Sequence, residues 1–593
     1  MTPGQAQTLL QQAHVDQHAG RLLEASATCR LVLKSRPRDF SANYFMAILH
    51  AQQGDMDGAV KFFKSAVKIN PDFLDARYNL AYALNLTGMH QEAVGHYEKI
   101  LKTNPQHLDA QINYANTLSL LGRYSDALAK YRELIILIPN SAPAYANRGY
   151  VLKQLKRLDE ALVDCDRAIS LDPGYAEAHF NRGATLHELN RFEDALESYD
   201  QAIKLKSVYA DAYFNRGVTL HELKRFDAAI ESYDQAIGLK SDYAEAYFNR
   251  GTTLHELKRF DEALESYDKA SVINPDDDRI LFARSSVNLL RGNFQSGWRE
   301  YEGRATNRGR GTNRALRRPR WLGDADIADK TILVHCEQGL GDTIQFCRYI
   351  KLLKQEGARV LFAPQPSLKG LMGSLGDVDL VDVENRDLRP DYHCPLLTLP
   401  LAFKTDHDSI PAPIPYLFSD PQRAKDWADK IGGRDFKIGI CWQGAATRMD
   451  AGRSFHVREF LPLSQIPGAR LISLHKGEGE AQLLTLPDGM VQALGRDFDA
   501  GSNAFLDTAA VMEGLDLIIT SDTAIAHLAG ALGRPTWVAL QYVPDWRWLL
   551  DRNDSPWYPT MRLFRQQRVG DWEGVFSQIQ LALIERMQSA GKV

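Results

Sequence analysis

The first half of the chain repeats itself at a spacing of 34 residues, and this period constrains the fold more than any other feature. Residues 176–209, 210–243 and 244–277 share the core N-R-G-x-T-L-H-E-L-x-R-F. The same frame, extended towards the N-terminus, places an alanine at one position of eight successive units: Ala25, Ala59, Ala93, Ala127, Ala161, Ala195, Ala229 and Ala263. A fixed period of this length predicts an array of stacked units over about residues 6–277.

Small residues and prolines indicate that each unit is a pair of helices. A small residue recurs where the first helix must approach the second, and proline stands where the second helix ends. The small residues are Ala81, Ala115, Gly149, Gly183, Gly217 and Gly251, and the prolines are Pro37, Pro71, Pro105, Pro139, Pro173 and Pro275. The pattern resembles the tetratricopeptide repeat. That resemblance implies an α superhelix whose groove holds an extended peptide, and the alternative is a structural spacer.

One asparagine per unit falls in the middle of the first helix, where asparagine is a poor helix former. The six residues are Asn79, Asn113, Asn147, Asn181, Asn215 and Asn249. A carboxamide donates to a carbonyl and accepts from an N–H, so a row of them can hold a peptide backbone. The row resembles the ladder of the O-linked N-acetylglucosamine transferases, and we predict that it binds a peptide. The alternative is that these amides bond neighbouring repeats.

The composition changes after the repeats. Residues 278–302 keep a weaker helix-pair pattern and predict a capping repeat, which gives a repeat domain over residues 1–302. Residues 303–320 carry seven arginines and no acid, with helix-breaking glycines, and predict an exposed linker. An alternative role for this segment is to bind an anionic acceptor. All nine tryptophans lie at or after Trp298, which indicates that a different domain begins near residue 321.

The second half alternates short apolar runs with helical segments, as α/β proteins do. Residues 331–335 predict a buried strand that leads through Gly339 and Gly341 into a helix beginning near Asp342. The two glycines let the backbone turn tightly beneath a ligand at the end of the strand. As a nucleotide fingerprint the motif is incomplete, because a third glycine and a later ribose-binding acid are not in place.

A second α/β series begins with the strand at 437–442. A later strand of this series, at 516–520, leads into Ser521, Asp522 and Thr523. The helix that follows presents free N–H groups and the positive end of its dipole to a phosphate. His527 lies one turn inside that helix. It either faces the same cleft or is a structural histidine.

Three motifs of this region resemble one family. G-L-G-D-T after the first strand, the loop ending in Arg453-Ser454, and D-T-A-I-A-H-L-A-G-A-L-G-R-P look like the GT-B glycosyltransferases of the ADP-heptose:lipopolysaccharide heptosyltransferase family. The resemblance covers residues 321–593. It implies two Rossmann-like lobes, an acceptor-side lobe at 321–432 and a nucleotide-sugar lobe at 433–593.

The resemblance also implies roles for individual residues. Asp342 matches the proposed catalytic base. Donor-side positions are matched by Arg453, Asp522, Thr523 and His527, and the residue pattern adds Gly444, Ser454, Lys476 and Ser521 to the predicted donor site. Displacement at the anomeric carbon then needs a carboxylate and phosphate-binding cations or helix N-termini, with no metal and no cofactor. The aromatic residues Trp546, Trp548, Trp557 and Tyr558 either stack on the sugar or base or pack in the core.

The predicted function is transfer of a sugar from a nucleotide-activated donor to a protein acceptor recruited by the repeats. The acceptor-side lobe is short for the heptosyltransferase family, which disfavours lipopolysaccharide as acceptor. Motifs at 297–302, 321–323 and 543–550 resemble bacterial proteins that fuse tetratricopeptide repeats to such a domain, and some relatives are implicated in flagellin glycosylation. Flagellin is therefore a candidate acceptor. The alternatives are a transferase for a surface polysaccharide or glycolipid, and a scaffold without catalysis.

Charge and cysteine usage indicate which partners and which cellular compartment to expect. The net charge of −5 arises from 70 basic and 75 acidic residues, which gives no sign of a nucleic-acid partner. The six cysteines form no C-x-x-C pair, so they predict buried thiols in a reducing compartment. The first 20 residues lack a signal-peptide pattern, and no apolar run of about 18 residues occurs. We therefore expect a cytoplasmic protein.

Overall fold

The computed structural model describes residues 1–305, 314–385, 387–444 and 452–592. The chain divides into two compact units, Met1–Ala246 and Tyr247–Val593. The first unit contains helices only, whereas the second contains further helices and two parallel sheets. In the described part of the chain, no helix has the length and apolar character needed to span a membrane.

Helices follow the 34-residue period from the start of the chain. They are α1 (Pro3–His18), α2 (Leu22–Ser35), α3 (Phe40–Gln52), α4 (Met56–Ile69), α5 (Leu74–Leu86), α6 (His90–Thr103), α7 (Leu108–Leu120), α8 (Tyr124–Leu137), α9 (Ala142–Gln154), α10 (Leu158–Leu171), α11 (Ala176–Glu188), α12 (Phe192–Leu205), α13 (Ala210–Glu222), α14 (Phe226–Leu239), α15 (Ala244–Glu256), α16 (Phe260–Ile273), α17 (Asp278–Leu290) and α18 (Phe294–Tyr301). This order confirms the predicted helical repeats followed by an α/β region.

A residue in the left-handed conformation links the two helices of a repeat. Glycine fills this position in early repeats, as at Gly88 (φ 76°) and Gly122 (φ 71°). Later repeats have lysine or asparagine there, and Lys224 has a φ of 57°. Because a Cβ atom disfavours the left-handed region, the later turns carry strain that the glycine turns do not.

The small residue of the first helix lies against an aromatic ring of the second. A Cβ atom on Gly217 would lie 2.7 Å from Tyr233 Cε1, and one on Gly183 would lie 2.8 Å from Tyr199 Cε1. The recurrent alanine of the second helix, such as Ala229, is fully buried. The small residues therefore allow each helix pair to close, as the sequence predicts.

The last helix pair packs inside the second unit. Trp298, on α18, donates from Nε1 to the carbonyl oxygen of Thr405 (2.9 Å). Its ring lies edge-on to that of Trp546, with centroids 5.1 Å apart, and the rings of Tyr301 and Trp557 complete the cluster. The residues predicted as a capping repeat thus belong to the core of the unit that holds the sheets.

Two arginines of the arginine-rich segment form ion pairs, whereas Arg317, Arg318 and Pro319 are exposed as predicted. Residues 306–313 of the predicted linker lie outside the described residues. Arg304 pairs with Glu302 (2.8 Å) and Glu337 (2.7 Å), and its side chain is buried. Arg320 pairs with Glu302 as well. Arg304 is therefore part of a buried ionic network, and the predicted exposure of the linker is wrong for this residue.

Two parallel sheets follow. The first contains β1 (Thr331–His335), β2 (Arg359–Ala363), β3 (Asp379–Leu380) and β4 (Tyr392–Pro395) in the order β3-β2-β1-β4. The second contains β5 (Phe436–Cys441), β6 (Ala469–Ser473), β7 (Val491–Gln492), β8 (Leu517–Ser521), β9 (Thr536–Leu540) and β10 (Met561–Arg565) in the order β10-β9-β8-β5-β6-β7. The helices of this region are α19 (Leu340–Phe346), α20 (Ile350–Gln355), α21 (Lys369–Met372), α22 (Leu399–Ala402), α23 (Pro421–Ile431), α24 (Leu461–Ser464), α25 (Leu506–Glu513), α26 (Ala524–Ala531) and α27 (Trp572–Ser589).

The second sheet has a topological switch point between β5 and β8. These strands pair directly, with Ile440 opposite Ile519. From β5 the chain continues outward to β6 and β7 on one side, and from β8 it continues to β9 and β10 on the other. Ligands of doubly wound sheets bind beyond the carboxyl ends of the strands at such a point. The fold therefore makes this edge of the sheet the place where a ligand is expected to bind.

Candidate functional site

The predicted donor residues cluster where β5 and β8 end. Asp522 and Thr523 follow β8 directly, and Gly444 comes shortly after β5. Thr523 is the N-cap residue of α26. Its hydroxyl lies 4.0 Å from Cys441 Sγ, the last residue of β5. The residues predicted from two separate motifs thus come together at the switch point.

The N-terminus of α26 carries polar groups suited to an anion. Its first backbone N–H groups have no partner within the helix, and the helix dipole is positive at this end. Ser521 is fully buried, and its hydroxyl has no hydrogen-bond partner among the described residues. The Thr523 hydroxyl lies 3.2 Å from that of Thr520. Phosphate binding at this helix end fits these groups.

Asp522 is a buried carboxyl with a strongly shifted pKa. Burial, aided by the negative charge of Asp545 and opposed by the positive charge of Arg453, raises the pKa of Asp522 to about 6. A carboxyl in a cleft whose pKa depends on burial and on specific charged neighbours is a mark of functional sites. Arg453 is half-buried, and its charge lowers the pKa of Asp522.

His527 is held by packing on several sides. Its Nδ1 lies 3.0 Å from the hydroxyl of Tyr558, and its ring stacks on Trp548 with centroids 5.5 Å apart. Burial and the positive charge of Arg547 hold the pKa of His527 well below its usual range, so the ring is neutral. These contacts match the structural histidine that the sequence left open as an alternative.

Asp342 lies in the first turn of α19 with both carboxylate oxygens engaged. Oδ2 accepts from the Gly339 N–H (2.7 Å), and Oδ1 pairs with the guanidinium of Arg547. Arg547 also pairs with Asp545 (2.9 Å) and donates to Gln345 Oε1 (2.7 Å). Burial raises the pKa of Asp342, whereas the Arg547 charge and the Gly339 N–H lower it. The carboxylate predicted as the base is therefore held by a buried cation.

Gly341 lets α19 approach α26 closely. A Cβ atom on Gly341 would lie 3.0 Å from His527 Cδ2 and 3.3 Å from Ala524 Cα. The sequence assigns both glycines to a tight turn beneath a ligand. In the structure, Gly339 has an ordinary φ of −69°, and Gly341 is needed for the contact between the two helices. Asp342 and the N-terminus of α26 are neighbours for this reason.

The remaining donor-side residues occupy the surrounding loops. The Gly444 N–H donates to Ser454 Oγ (3.3 Å), which joins the two described ends of the loop after β5. Residues 445–451 of that loop lie outside the described residues. Lys476 follows β6, is exposed, and donates to the carbonyl oxygen of Arg496 (3.5 Å).

The aromatic run is part of the core. The side chains of Trp546, Trp548, Trp557 and Tyr558 are all buried. The sequence allows these residues either to stack on a sugar or base or to pack in the core, and in the structure they pack in the core. Stacking on a sugar or base is therefore not supported for these four residues.

Sequence reasoning missed Arg547 and Asp545. Both follow β9, another strand that ends at the same edge of the sheet as β5 and β8. The available signal is a charged pair in the loop after a buried apolar strand, within the D-W-R-W run. His475, after β6, was also missed. It stacks on Trp442 with centroids 4.2 Å apart, and its Nδ1 lies 3.5 Å from Cys441 Sγ.

Four amides of the asparagine row bond neighbouring repeats, whereas Asn215 bonds within its own helix, α13. Asn79 Nδ2 donates to the Tyr44 hydroxyl, and Asn113 Nδ2 donates to the Tyr78 hydroxyl, both at 2.9 Å. The other described amide bonds run from Asn147 to Asn116 Oδ1 (3.2 Å), from Asn181 to the Ala146 carbonyl (3.2 Å) and from Asn215 to the Asp211 carbonyl (2.8 Å). Asn249 is half-buried like the others. This geometry favours the alternative that the amides connect repeats.

Comparison with known proteins supports the repeats. Tetratricopeptide repeat family models match residues 50–93, 84–147, 142–175, 180–244 and 244–277. The chain therefore contains tetratricopeptide repeats, a fold that binds peptides or proteins.

Curated and solved relatives cover parts of the chain. Protein FlbA from Caulobacter vibrioides is 25% identical over 338 residues, which is 52% of this chain and 56% of that protein. The chain thus matches a little over half the length of that relative. A tetratricopeptide repeat protein from Parabacteroides merdae is 18% identical over 41% of this chain and 97% of that chain, with a TM-score of 0.37. YrrB, described as a protein with an unusual peptide-binding site, is 26% identical over 32% of this chain and 97% of that chain, with a TM-score of 0.27.

Proposed function

We propose that the chain is a glycosyltransferase that moves a sugar from a nucleotide-activated donor to a protein acceptor held by the repeats. The observation that carries the proposal is the convergence at one switch point of the α26 N-terminus, Asp522 and Arg453 beside Asp342 on α19. Flagellin is the candidate acceptor, through the resemblance of the sequence to the repeat–transferase fusions.

The proposed donor site uses charge and dipole. The N-terminus of α26 and the Arg453 guanidinium receive the diphosphate or monophosphate of the nucleotide. As the bond from the anomeric carbon to the phosphate oxygen breaks, these groups stabilise the negative charge that develops on the leaving phosphate. The Ser521 hydroxyl can donate a hydrogen bond to the same phosphate.

The proposed base is Asp342. The acceptor hydroxyl oxygen forms the new bond to the anomeric carbon, and its proton passes to the Asp342 carboxylate. Burial raises the pKa of Asp342, and the Arg547 charge opposes this rise and favours the ionised carboxylate that the transfer needs. Release of one carboxylate oxygen from Arg547 or from the Gly339 N–H would accompany proton uptake.

A non-catalytic scaffold is the second candidate. It is favoured by one observation, namely that both oxygens of Asp342 are engaged by groups of the protein itself. In this case the repeats bind a partner and the α/β region serves as a recognition or assembly surface.

Co-expression separates the two candidates. Flagellin from the same organism is produced with the wild-type chain or with Asp342→Asn, and its intact mass is measured. The transferase predicts a mass increase of one or more sugar residues with the wild-type chain and none with Asp342→Asn. An unmodified flagellin that still co-purifies with the wild-type chain would favour the scaffold.

A further inference from the structure

An exposed apolar face crosses the first helices of three successive repeats. Tyr82 (46% exposed) and Leu86 (55%) lie one turn apart on α5, and Leu120 (63%) occupies the position of Leu86 on α7. Tyr150 (38%), on α9, stands at the position of Tyr82 two repeats later. We call these four residues the docking face. Single exposed apolar residues are ordinary, but here they fill four of six matched positions on adjacent helices, with Asn116 and Gln154 at the other two, and this pattern favours an interaction site.

The three helices are direct neighbours. Asn85 Nδ2 on α5 donates to Thr117 Oγ1 on α7 (2.7 Å), and Asn147 on α9 donates to Asn116 on α7 (3.2 Å). Axes of packed helices lie about 8–10 Å apart. Two turns of an α-helix advance about 11 Å. A helix that lies across the docking face therefore meets a new repeat about every seven residues. The face has two rows, one with Tyr82 and Tyr150 and the other with Leu86 and Leu120, and the two rows accept residues one turn apart.

One edge of the docking face is acidic. Asp75 on α5 precedes Tyr82 by seven residues, which places it on the same side of the helix two turns away. Asp109 occupies the equivalent position on α7. Both carboxylates are exposed, and no ion pair with another described residue neutralises either of them. A partner that covers the face thus gains from basic side chains along this flank.

The asparagine amides beside the docking face bond to neighbouring repeats. Asn113 gives its amide N–H to Tyr78 of the preceding repeat, and Asn147 gives its amide N–H to Asn116. One N–H donor of each of these amides is therefore engaged within the array. Side-chain anchors on an apolar face suit a helix, which satisfies its own backbone.

We propose that the docking face binds an amphipathic α-helix of the partner protein, with apolar residues at heptad spacing and Lys or Arg along the flank towards Asp75 and Asp109. The inference rests on the proposed function in one respect, namely that the protein bound is the acceptor. Binding of the helix does not require sugar transfer.

Synthetic peptides test the match directly. The probe is a fluorescein-labelled peptide of three heptads with leucine at two seam positions per heptad and lysine along one flank. Its affinity for the full-length chain is measured by fluorescence anisotropy. We expect it to bind at least about tenfold tighter than a peptide of the same composition with dispersed leucines, and tighter than one with glutamate in place of lysine. Equal binding of the dispersed-leucine peptide would overturn the proposal.

Variants of the chain locate the site. Leu86→Ser combined with Leu120→Ser is expected to weaken binding of the probe by about tenfold or more. The matched control is Ile136→Ser on α8, where an isoleucine is 80% exposed away from the docking face, and there the affinity should change less than about twofold. Asp75→Asn with Asp109→Asn should weaken the lysine probe and reduce its salt dependence. Circular dichroism confirms that each variant is folded.

The two proposals can fail separately. If Leu86→Ser with Leu120→Ser keeps full affinity for the probe, the docking face is wrong, whatever the transferase activity. If the probe binds as expected but no donor and acceptor pair gives transfer, the docking proposal stands and the transferase is contradicted. Asp342→Asn should bind the probe as the wild-type chain does.

Discussion

Asp342 and Arg547 lie 205 positions apart in the chain and form a buried ion pair. The pair fixes the first turn of α19 to the loop that follows β9. Asp545 binds the same guanidinium from the other side, so two carboxylates share one cation. Burial has the largest effect and raises the pKa of Asp342, and the charges of Arg547 and Asp545 act on this pKa in opposite directions.

Charge-removing variants should move the pH dependence of transfer in opposite directions. Arg547→Gln removes the cation that lowers the pKa of Asp342, so the acidic limb of the kcat/KM profile should move to higher pH. Asp545→Asn removes a charge that raises this pKa, so the limb should move to lower pH. Asp342→Asn should reduce kcat by about 10²–10⁴. Shifts of the same sign for the first two variants would contradict the assignment.

The stability of the second unit should depend on the charge of Asp522. Its folded pKa of about 6 lies above the unfolded value near 3.8, so the folded state loses stability from this group as pH rises from about 4 to 6. Asp522→Asn should therefore gain about 3 kcal/mol relative to wild type between pH 4 and pH 7. Tryptophan fluorescence during denaturant unfolding reports on this unit alone, because all nine tryptophans lie within it. A difference that stays constant with pH would refute the prediction.

Replacing Gly341 should separate α19 from α26. In Gly341→Ala the new methyl group meets the His527 ring and the backbone of Ala524, and we expect a loss of about 1–3 kcal/mol in the free energy of unfolding together with weaker donor binding. Gly373→Ala is the matched control, since a Cβ atom there has open space and the backbone is helical. The measurement is denaturant unfolding of both variants. Equal stabilities of the two variants would show that the close approach is unimportant.

The left-handed turns predict stabilising substitutions. Lys224→Gly should stabilise the first unit by about 0.5–1 kcal/mol, because glycine adopts this φ without a Cβ penalty. Gly122→Ala should destabilise it by about 1 kcal/mol for the same reason. The helical signal at 222 nm during thermal unfolding checks both changes. Destabilisation by Lys224→Gly would mean that the lysine side chain makes a contact worth more than the strain.

The parts of the fold that could be predicted are those determined by residues close together in the sequence. The 34-residue period, the small residues such as Gly217, and the apolar run that forms β8 each act through neighbours close in the chain. The strand end that carries Asp522 and Thr523 could also be predicted, together with the helix that follows it. These signals survive because secondary structure and parallel-strand topology impose short, regular spacings.

The parts that could not be predicted depend on contacts between distant residues. Nothing near Trp298 indicates that it contacts Thr405 and Trp546, so the sequence predicts a capping repeat but not its packing against the α/β region. The ion pair of Asp342 with Arg547 joins two motifs that the sequence shows only separately. The asparagines illustrate a different limit, because one residue type at one spacing allows both peptide binding and bonding between repeats, and only geometry distinguishes them.

Binding of an activated sugar tests the central claim most directly. Thermal unfolding of the full chain is measured against a panel of nucleoside diphosphate sugars and CMP-linked sugars, with Asp522→Ala and the docking-face variant Leu86→Ser as comparisons. A ligand at about one hundred times its Kd adds about 2.7 kcal/mol to the stability of the folded state. The account predicts that one nucleotide class raises the Tm of the wild-type chain and of Leu86→Ser but not that of Asp522→Ala. A Tm that no activated sugar changes, or that changes equally in Asp522→Ala, would contradict a donor site at the switch point.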